Sequence, residues 1–201
     1  RRDPPDVLSR EEVARLIEAA EGPEPSDLRT MCLVELLYGA GLRASECCDL
    51  PLSALPAPGA TVLIVRGKGD KERITPLGKP ALAALKNYMA VRDQFFPKSA
   101  VRSVAQRFVF PSRGASGRLT RRRLGQLLED LAMKAGITLE RVTPHALRHA
   151  FATHLLSGGA DLRAVQLLLG HADIATTQIS THVVTDELRD LLEAAHPLAR
   201  A

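Results

Sequence analysis

Apolar positions early in the chain recur at helical spacing. From Ser9 to Ala20, Val13, Leu16 and Ile17 form one stripe, and Glu12 follows Ser9 at the spacing of a capping box. The Pro/Gly stretch EGPEPS ends this helix, and Ser26 or Asp27 stands where it can cap the next. That helix, DLRTMCLVELLYGAG, is strongly apolar and stops at Gly39 to Gly41; a short helix, RASECCDL, follows. The period then changes. ATVLIVRGKGDKERITPL is a β-branched run, a Gly-Lys-Gly turn and a second short run ending at Pro76, which predicts a hairpin. Helix returns from Pro80 to Phe95, and RFVFPSRGASGRLT reads as a short extended piece with a polar loop. Thr120 to Ala135 is helical. TPHALRHAFATHLLSGG carries Thr143 as N-cap and Pro144 as first helical residue, and ends at Gly158-Gly159. Asp161 to Leu169 is a further helix stopped by Gly170, Asp173 to about Ser180 a short one, and Thr185 to Ala195 a terminal one. The pattern predicts a mainly α domain with a small antiparallel β-sheet, without repeats.

Composition narrows this picture. The 201 residues are 45% hydrophobic, only 3% aromatic and contain no Trp, so Leu, Ala, Val and Ile must build the core, which favours helix packing. No apolar run approaches the ~18 residues of a membrane span, and the first arginines are not followed by a signal-like apolar stretch. Cys32, Cys47 and Cys48 are odd in number, and none has zinc-like spacing; reduced thiols of a cytoplasmic protein fit them best. The net charge of +4 suits nucleic acid without establishing it.

Four stretches carry chemistry. GAGLRASE places Arg43 just past a glycine turn at the start of a helix; read alone, Arg43 and Glu46 are a surface ion pair. VRGKGDKERITPL places Lys68 at a hairpin tip, by itself a solvated turn residue. TPHALRHAFATH places His145 and Arg148 three apart, on one helical face. LLGHADIATTQISTH places His171 at a helix end and Ser180 nine residues later. His145 and His149 have metal-ligand spacing but lack the glutamate a metalloprotease places between them. His154 shares its helix with Phe151 and Leu155 and reads as structural. Arg121, Arg122 and Arg123 are a solvated face, or meet phosphates if nucleic acid lies beside them. Two arginines, a lysine and two histidines, with no carboxylate cluster, suit a phosphodiester handled without metal. Arginine forks grip non-bridging oxygens, cations stabilise developing charge, and a lysine or histidine protonates the leaving oxygen. A nucleophile is missing.

Here the chain resembles the tyrosine recombinase (phage integrase) family, and within it the Xer-type chromosome-dimer recombinases. The likeness runs from about Val7 to Arg200. Its most specific parts are LLYGAGLRASE, RGKGDKERITPLG, the long stretch from TPHALRHA to ISTH, and AHPLARA. The resemblance implies the catalytic-domain fold of those DNA breaking and rejoining enzymes, with no cofactor or metal. It makes Arg43 the first catalytic arginine, Lys68 the general acid for the 5′-oxygen, His145 and Arg148 the His-x-x-Arg box, and His171 a phosphate ligand. In QI-TH the family has the tyrosine that attacks DNA, and this chain has Ser180. Tyr38 and Tyr88, its only tyrosines, lie outside that motif and read as structural. A serine is far less acidic than a phenol and falls a whole ring short, so Ser180 is expected to abolish cleavage, by design or in a natural degenerate copy. The resemblance further implies residues 1–201 to be the C-terminal catalytic domain without the family's N-terminal DNA-clamping domain. Its partners would be double-stranded DNA, a paired Xer recombinase in a tetramer and a septal DNA translocase, in a cytoplasmic, nucleoid-associated setting with no membrane. The terminal helix docks on a neighbouring subunit in the family; the stripe Leu188, Leu191 and Leu192 suits that role or packing on its own domain. Alternatives are a phage, transposon or integron integrase, a non-catalytic DNA-binding or regulatory protein, and, behind both, a metal-dependent hydrolase.

Overall fold

The computed structural model describes residues 6–170 and 181–198. The short helix expected from Asp173 to Ser180, with His171 and Ser180 themselves, lies outside these residues. The first helix, α1 (Arg10–Ala20), starts on the expected capping box: Ser9 Oγ accepts the Glu12 N–H, and the Glu12 carboxylate accepts the Ser9 N–H, both at 3.1 Å. Helix α2 (Pro25–Val34) departs from expectation at its cap. Pro25, with φ preset for a helix, takes the first position, so Glu24 is the N-cap; Asp27 accepts the Glu24 N–H at 3.1 Å from inside the first turn. The helix then widens into a π turn, Glu35–Gly39, and Leu42 N–H reaches back to the Leu36 carbonyl at 3.0 Å. Helix α3 (Ala44–Cys48) follows.

The hairpin forms as expected. Strands β1 (Val62–Arg66) and β2 (Glu72–Pro76) pair antiparallel, Val65 opposite Arg73 and Ile64 opposite Ile74. The register sends Leu63 and Val65 inward with Arg73 and Thr75, and leaves Ile64 and Ile74 exposed. The helix expected over Pro80 to Phe95 is shorter. Helix α4 (Lys79–Met89) ends, and the chain turns through a tight 3-10 turn at Arg92–Phe95. Arg92 is the reason: its buried guanidinium donates to the carbonyls of Gln106, Phe108 and Val109, which a continued helix would carry it away from. A four-residue helix, α5 (Arg102–Ala105), was not expected; after it, Phe108 and Pro111 make single bridges to Pro51 and Arg118.

The later helices follow their caps. Thr120, Thr143 and Asp161 each accept the N–H three residues on, opening α6 (Arg121–Ala135), α7 (Pro144–Ser157) and α8 (Leu162–Leu168). The last helix, α9 (Thr181–Ala195), packs against α7 and β2. Its Leu188 and Leu192 are buried in the core, and Leu191 packs at the core's edge, so the stripe serves its own domain. His196, just beyond, is buried against Glu35 of the π turn, Nε2 to Oε1 2.8 Å. The described residues thus form a mainly α fold with a two-stranded antiparallel sheet. None of their helices is long and apolar enough to cross a membrane. Cys32, Cys47 and Cys48 are buried free thiols, and burial raises the pKa of each.

Candidate active site

Two glycine-controlled turns and one helix build the site. Gly41 has φ +70°, a conformation open to glycine at little cost, and this turn ends the π segment and delivers Arg43 to the N-cap of α3. A Cβ at Gly41 would stand 2.4 Å from Phe151 of α7, so the turn and α7 are in direct contact. One turn earlier on α7, Arg148 is buried; its guanidinium donates to the carbonyls of Gly41 and, at 2.8 Å, Leu169. Those bonds orient the guanidinium between the glycine turn and the end of α8. His145, three residues before Arg148, is exposed on the same rim, its ring stacked parallel to that of His149.

Arg43, His145 and Arg148 line one cleft of about 460 Å³, with Arg121, Ser45 and His149. A larger adjoining cleft of about 1060 Å³, between α3 and the hairpin, is lined by Arg43, Ser45 and Glu46 on one side and by Arg66, Gly67 and Lys68 on the other. Lys68 is exposed at the hairpin tip, in the turn where Gly69 and Asp70 have positive φ. The structure therefore brings Arg43, His145 and Arg148 to one cleft and places Lys68 across the next from Arg43. Of the basic run, Arg121 reaches the cleft; Arg122 and Arg123 do not line it, and Arg123 donates to Gln126 at 3.2 Å.

Glu46 corrects a reading made from the stretch alone. It forms no surface pair with Arg43. From the third position of α3 it folds back, accepts the Arg43 backbone N–H at 2.7 Å, and is buried in a two-pronged contact with the Arg73 guanidinium. Burial pushes this carboxyl's pKa up, but the bonds and charge of Arg73, the Arg43 N–H and the charge of Arg148 outweigh it and hold it below its ordinary range. Burial, then the charges of Arg43 and Arg73, push Arg148 down to about 10 against the pull of Glu46. Arg148 is a cation at neutral pH. Three guanidiniums stand near one carboxylate here, so the cluster favours a further anion. The only sequence signal for Arg73 was the hairpin register, which sets it opposite the inward Val65.

Both tyrosines are structural. Tyr38 Oη lies 2.7 Å from His154 Nδ1, whose Nε2 lies 2.9 Å from the Leu8 carbonyl, and Tyr88 donates to the Val109 carbonyl at 2.8 Å. Burial pushes the Tyr88 phenol well above its ordinary range, away from use as a nucleophile. Among the described residues, no three His, Cys, Asp or Glu side chains converge as metal ligands.

The phage integrase family matches the chain over residues 6–187. The chain belongs to that family. It is 55% identical over 197 residues to the tyrosine recombinase XerD of Caulobacter vibrioides, covering 98% of this chain and 63% of that protein. The chain thus spans under two thirds of that relative's length. Among solved structures it resembles the XerA recombinase, with a TM-score of 0.69, 36% identity, and coverage of 94% of this chain and 66% of that one. It also resembles the XerH site-specific recombinase bound to its difH substrate in a pre-cleavage complex, with a TM-score of 0.68, 27% identity, and coverage of 92% and 52%. The family match agrees with the resemblance carried by the motifs around Arg43, Lys68 and His145.

Proposed function

We propose that the chain is the catalytic domain of a Xer-type site-specific DNA recombinase, with Arg43, Lys68, His145, Arg148 and His171 as its phosphodiester site and Ser180 at the place of the nucleophile. The observation that carries this reading is the meeting of Arg43, His145 and Arg148 in one cleft, with Arg148 held by the Gly41 and Leu169 carbonyls. A backbone phosphate in that cleft meets the two guanidiniums through its non-bridging oxygens, where they stabilise charge in the transition state. With tyrosine at position 180, the phenolic oxygen attacks phosphorus and the bond to the 5′-oxygen breaks, leaving a 3′-phosphotyrosyl link. The phenolic proton passes to a base, for which His145 is the candidate on the cleft wall, and Lys68 protonates the departing 5′-oxygen. Reversal on a partner strand reseals the DNA. Arg121, Arg122 and Arg123 extend the basic surface to neighbouring phosphates. The partners are double-stranded DNA and a second Xer recombinase in a tetramer, with a septal translocase as activator, in the cytoplasm on the nucleoid.

With Ser180, this chain binds DNA without cutting it. The test is to restore Ser180→Tyr and mix both forms with a nicked duplex carrying a Xer-type site, with a binding control. An adduct that survives denaturation, formed by the tyrosine form alone, is the expected result. Binding by both forms with an adduct from neither refutes the catalytic assignment. An adduct on the serine form refutes the argument from acidity and reach.

A further inference from the structure

Strand β2 carries an inversion of the usual alternation: Ile74 is 47% exposed, while Arg73 beside it is 6% exposed. A buried guanidinium is costly unless every donor finds a partner, and an aliphatic residue could have filled this position on the sheet's inner face. Arg73 instead directs its fork at two other elements. Two of its nitrogens hold Glu46 of α3, the carboxylate that also accepts the Arg43 N–H; its Nε donates to the Leu168 carbonyl at the end of α8 at 3.1 Å. A glycine makes room for it: a Cβ at Gly170 would come within 2.9 Å of the Arg73 side chain.

We infer that Arg73 is a positioning residue, which clamps the Lys68 hairpin to the Arg43 helix and to the end of α8, so that the acid and the phosphate-binding groups share one frame. The inference rests on the proposed recombinase reading. Lys68 is an exposed tip on a two-stranded ribbon, and a pair of strands has little rigidity of its own. The Arg73–Glu46 fork is the polar link between this ribbon and α3. A lysine at position 73 would keep the charge but lose the planar two-pronged geometry. Releasing the clamp lets the Lys68 amine drift from the leaving oxygen, and a displacement of ~1 Å costs roughly 10²-fold in rate.

The test uses the full chain carrying Ser180→Tyr, with Arg73→Lys and Arg73→Gln added singly and Lys68→Ala as reference. Cleavage is measured on an ordinary site and on one whose scissile 5′-oxygen is replaced by sulfur, a leaving group that needs no proton. Amide hydrogen exchange is followed in parallel on the same proteins without DNA. Expected are cleavage lowered roughly 10²-fold in Arg73→Lys on the ordinary site, recovery of most of it on the sulfur site as for Lys68→Ala, and faster exchange confined to residues 62–76 and the start of α3. Equal losses on both substrates, exchange raised throughout the chain, or unchanged cleavage and exchange each overturn the inference. If the Ser180→Tyr parent cuts neither substrate, the recombinase reading fails. The exchange result then still decides the clamp: protection unchanged in Arg73→Gln overturns it.

Discussion

Replacing Gly41 by alanine should unfold the chain far more readily than the same change at Gly136, although both glycines have nearly the same backbone conformation, φ +70° and +71°. In that left-handed region a Cβ costs about 1–2 kcal/mol by itself. At Gly136, the left-handed cap of α6, an added Cβ meets nothing within 4 Å, so that conformational cost is the whole effect. At Gly41 the Cβ would lie 2.4 and 2.6 Å from two atoms of the Phe151 ring, against the 3.4 Å at which ordinary contact begins. Phe151 is only 3% exposed, so its ring cannot swing out into solvent without leaving the core. Overpacking of this kind adds about 1–3 kcal/mol, for a total of roughly 2–5 kcal/mol. Urea denaturation followed by far-UV circular dichroism measures both variants. Phe151→Leu should relieve part of the clash, so the double variant should be more stable than the sum of the single losses by about 1 kcal/mol or more. Equal losses for Gly41→Ala and Gly136→Ala, or strict additivity with Phe151→Leu, would show that the turn is not pinned by α7.

Tyr38→Phe should cost about 1–3 kcal/mol through loss of the hydroxyl beside His154, yet leave adduct formation intact in the Ser180→Tyr background; loss of the adduct would make Tyr38 a chemical participant. The Glu46 carboxyl is held below its ordinary 4.5, so its contribution to stability is fully present above that pH and fades as pH falls below it. Glu46→Gln should therefore flatten the acid limb of the stability curve, and should cost about 3–5 kcal/mol at neutral pH because Arg73 and Arg148 stay buried without their carboxylate; an unchanged acid limb would refute this. Changing Arg121, Arg122 and Arg123 to glutamine should reduce the slope of log affinity for duplex DNA against log salt by about 0.9 for each phosphate that is no longer neutralised; an unchanged slope would place DNA elsewhere.

Elements whose ends carry their own chemistry were legible in the sequence. The capping box at Ser9, Thr143 with Pro144, Asp161, and the Gly-Lys-Gly turn all act within a few residues, and each marks the boundary observed. Boundaries set from a distance were not. Helix α4 stops early because Arg92 binds carbonyls 14 to 17 residues away, and nothing in the helical period announces that. At the candidate site, Arg43, Lys68, His145 and Arg148 stand out as candidates because motifs carry them. The buried support was not nameable. Arg73 looks like one more charge in a basic hairpin until the register is known, and Glu46 looks like a surface partner for Arg43 until the hairpin arrives above it.

The contact between Glu35 and His196 joins positions 161 residues apart. During synthesis at about 5–20 residues per second, Glu35 waits roughly 8–32 s for its imidazole to be made. Through that interval the carboxylate has water as its neighbour, and the core around the π turn has one side unfilled. Helix α9, which follows directly on position 180, fills that side with Leu188 and Leu192. Every residue that lines the cleft of Arg43, His145 and Arg148, the last of them Leu169, is made before this helix. The core behind the candidate cleft is therefore completed only after the cleft's own residues exist, so the cleft takes its final shape late, when His196 reaches Glu35.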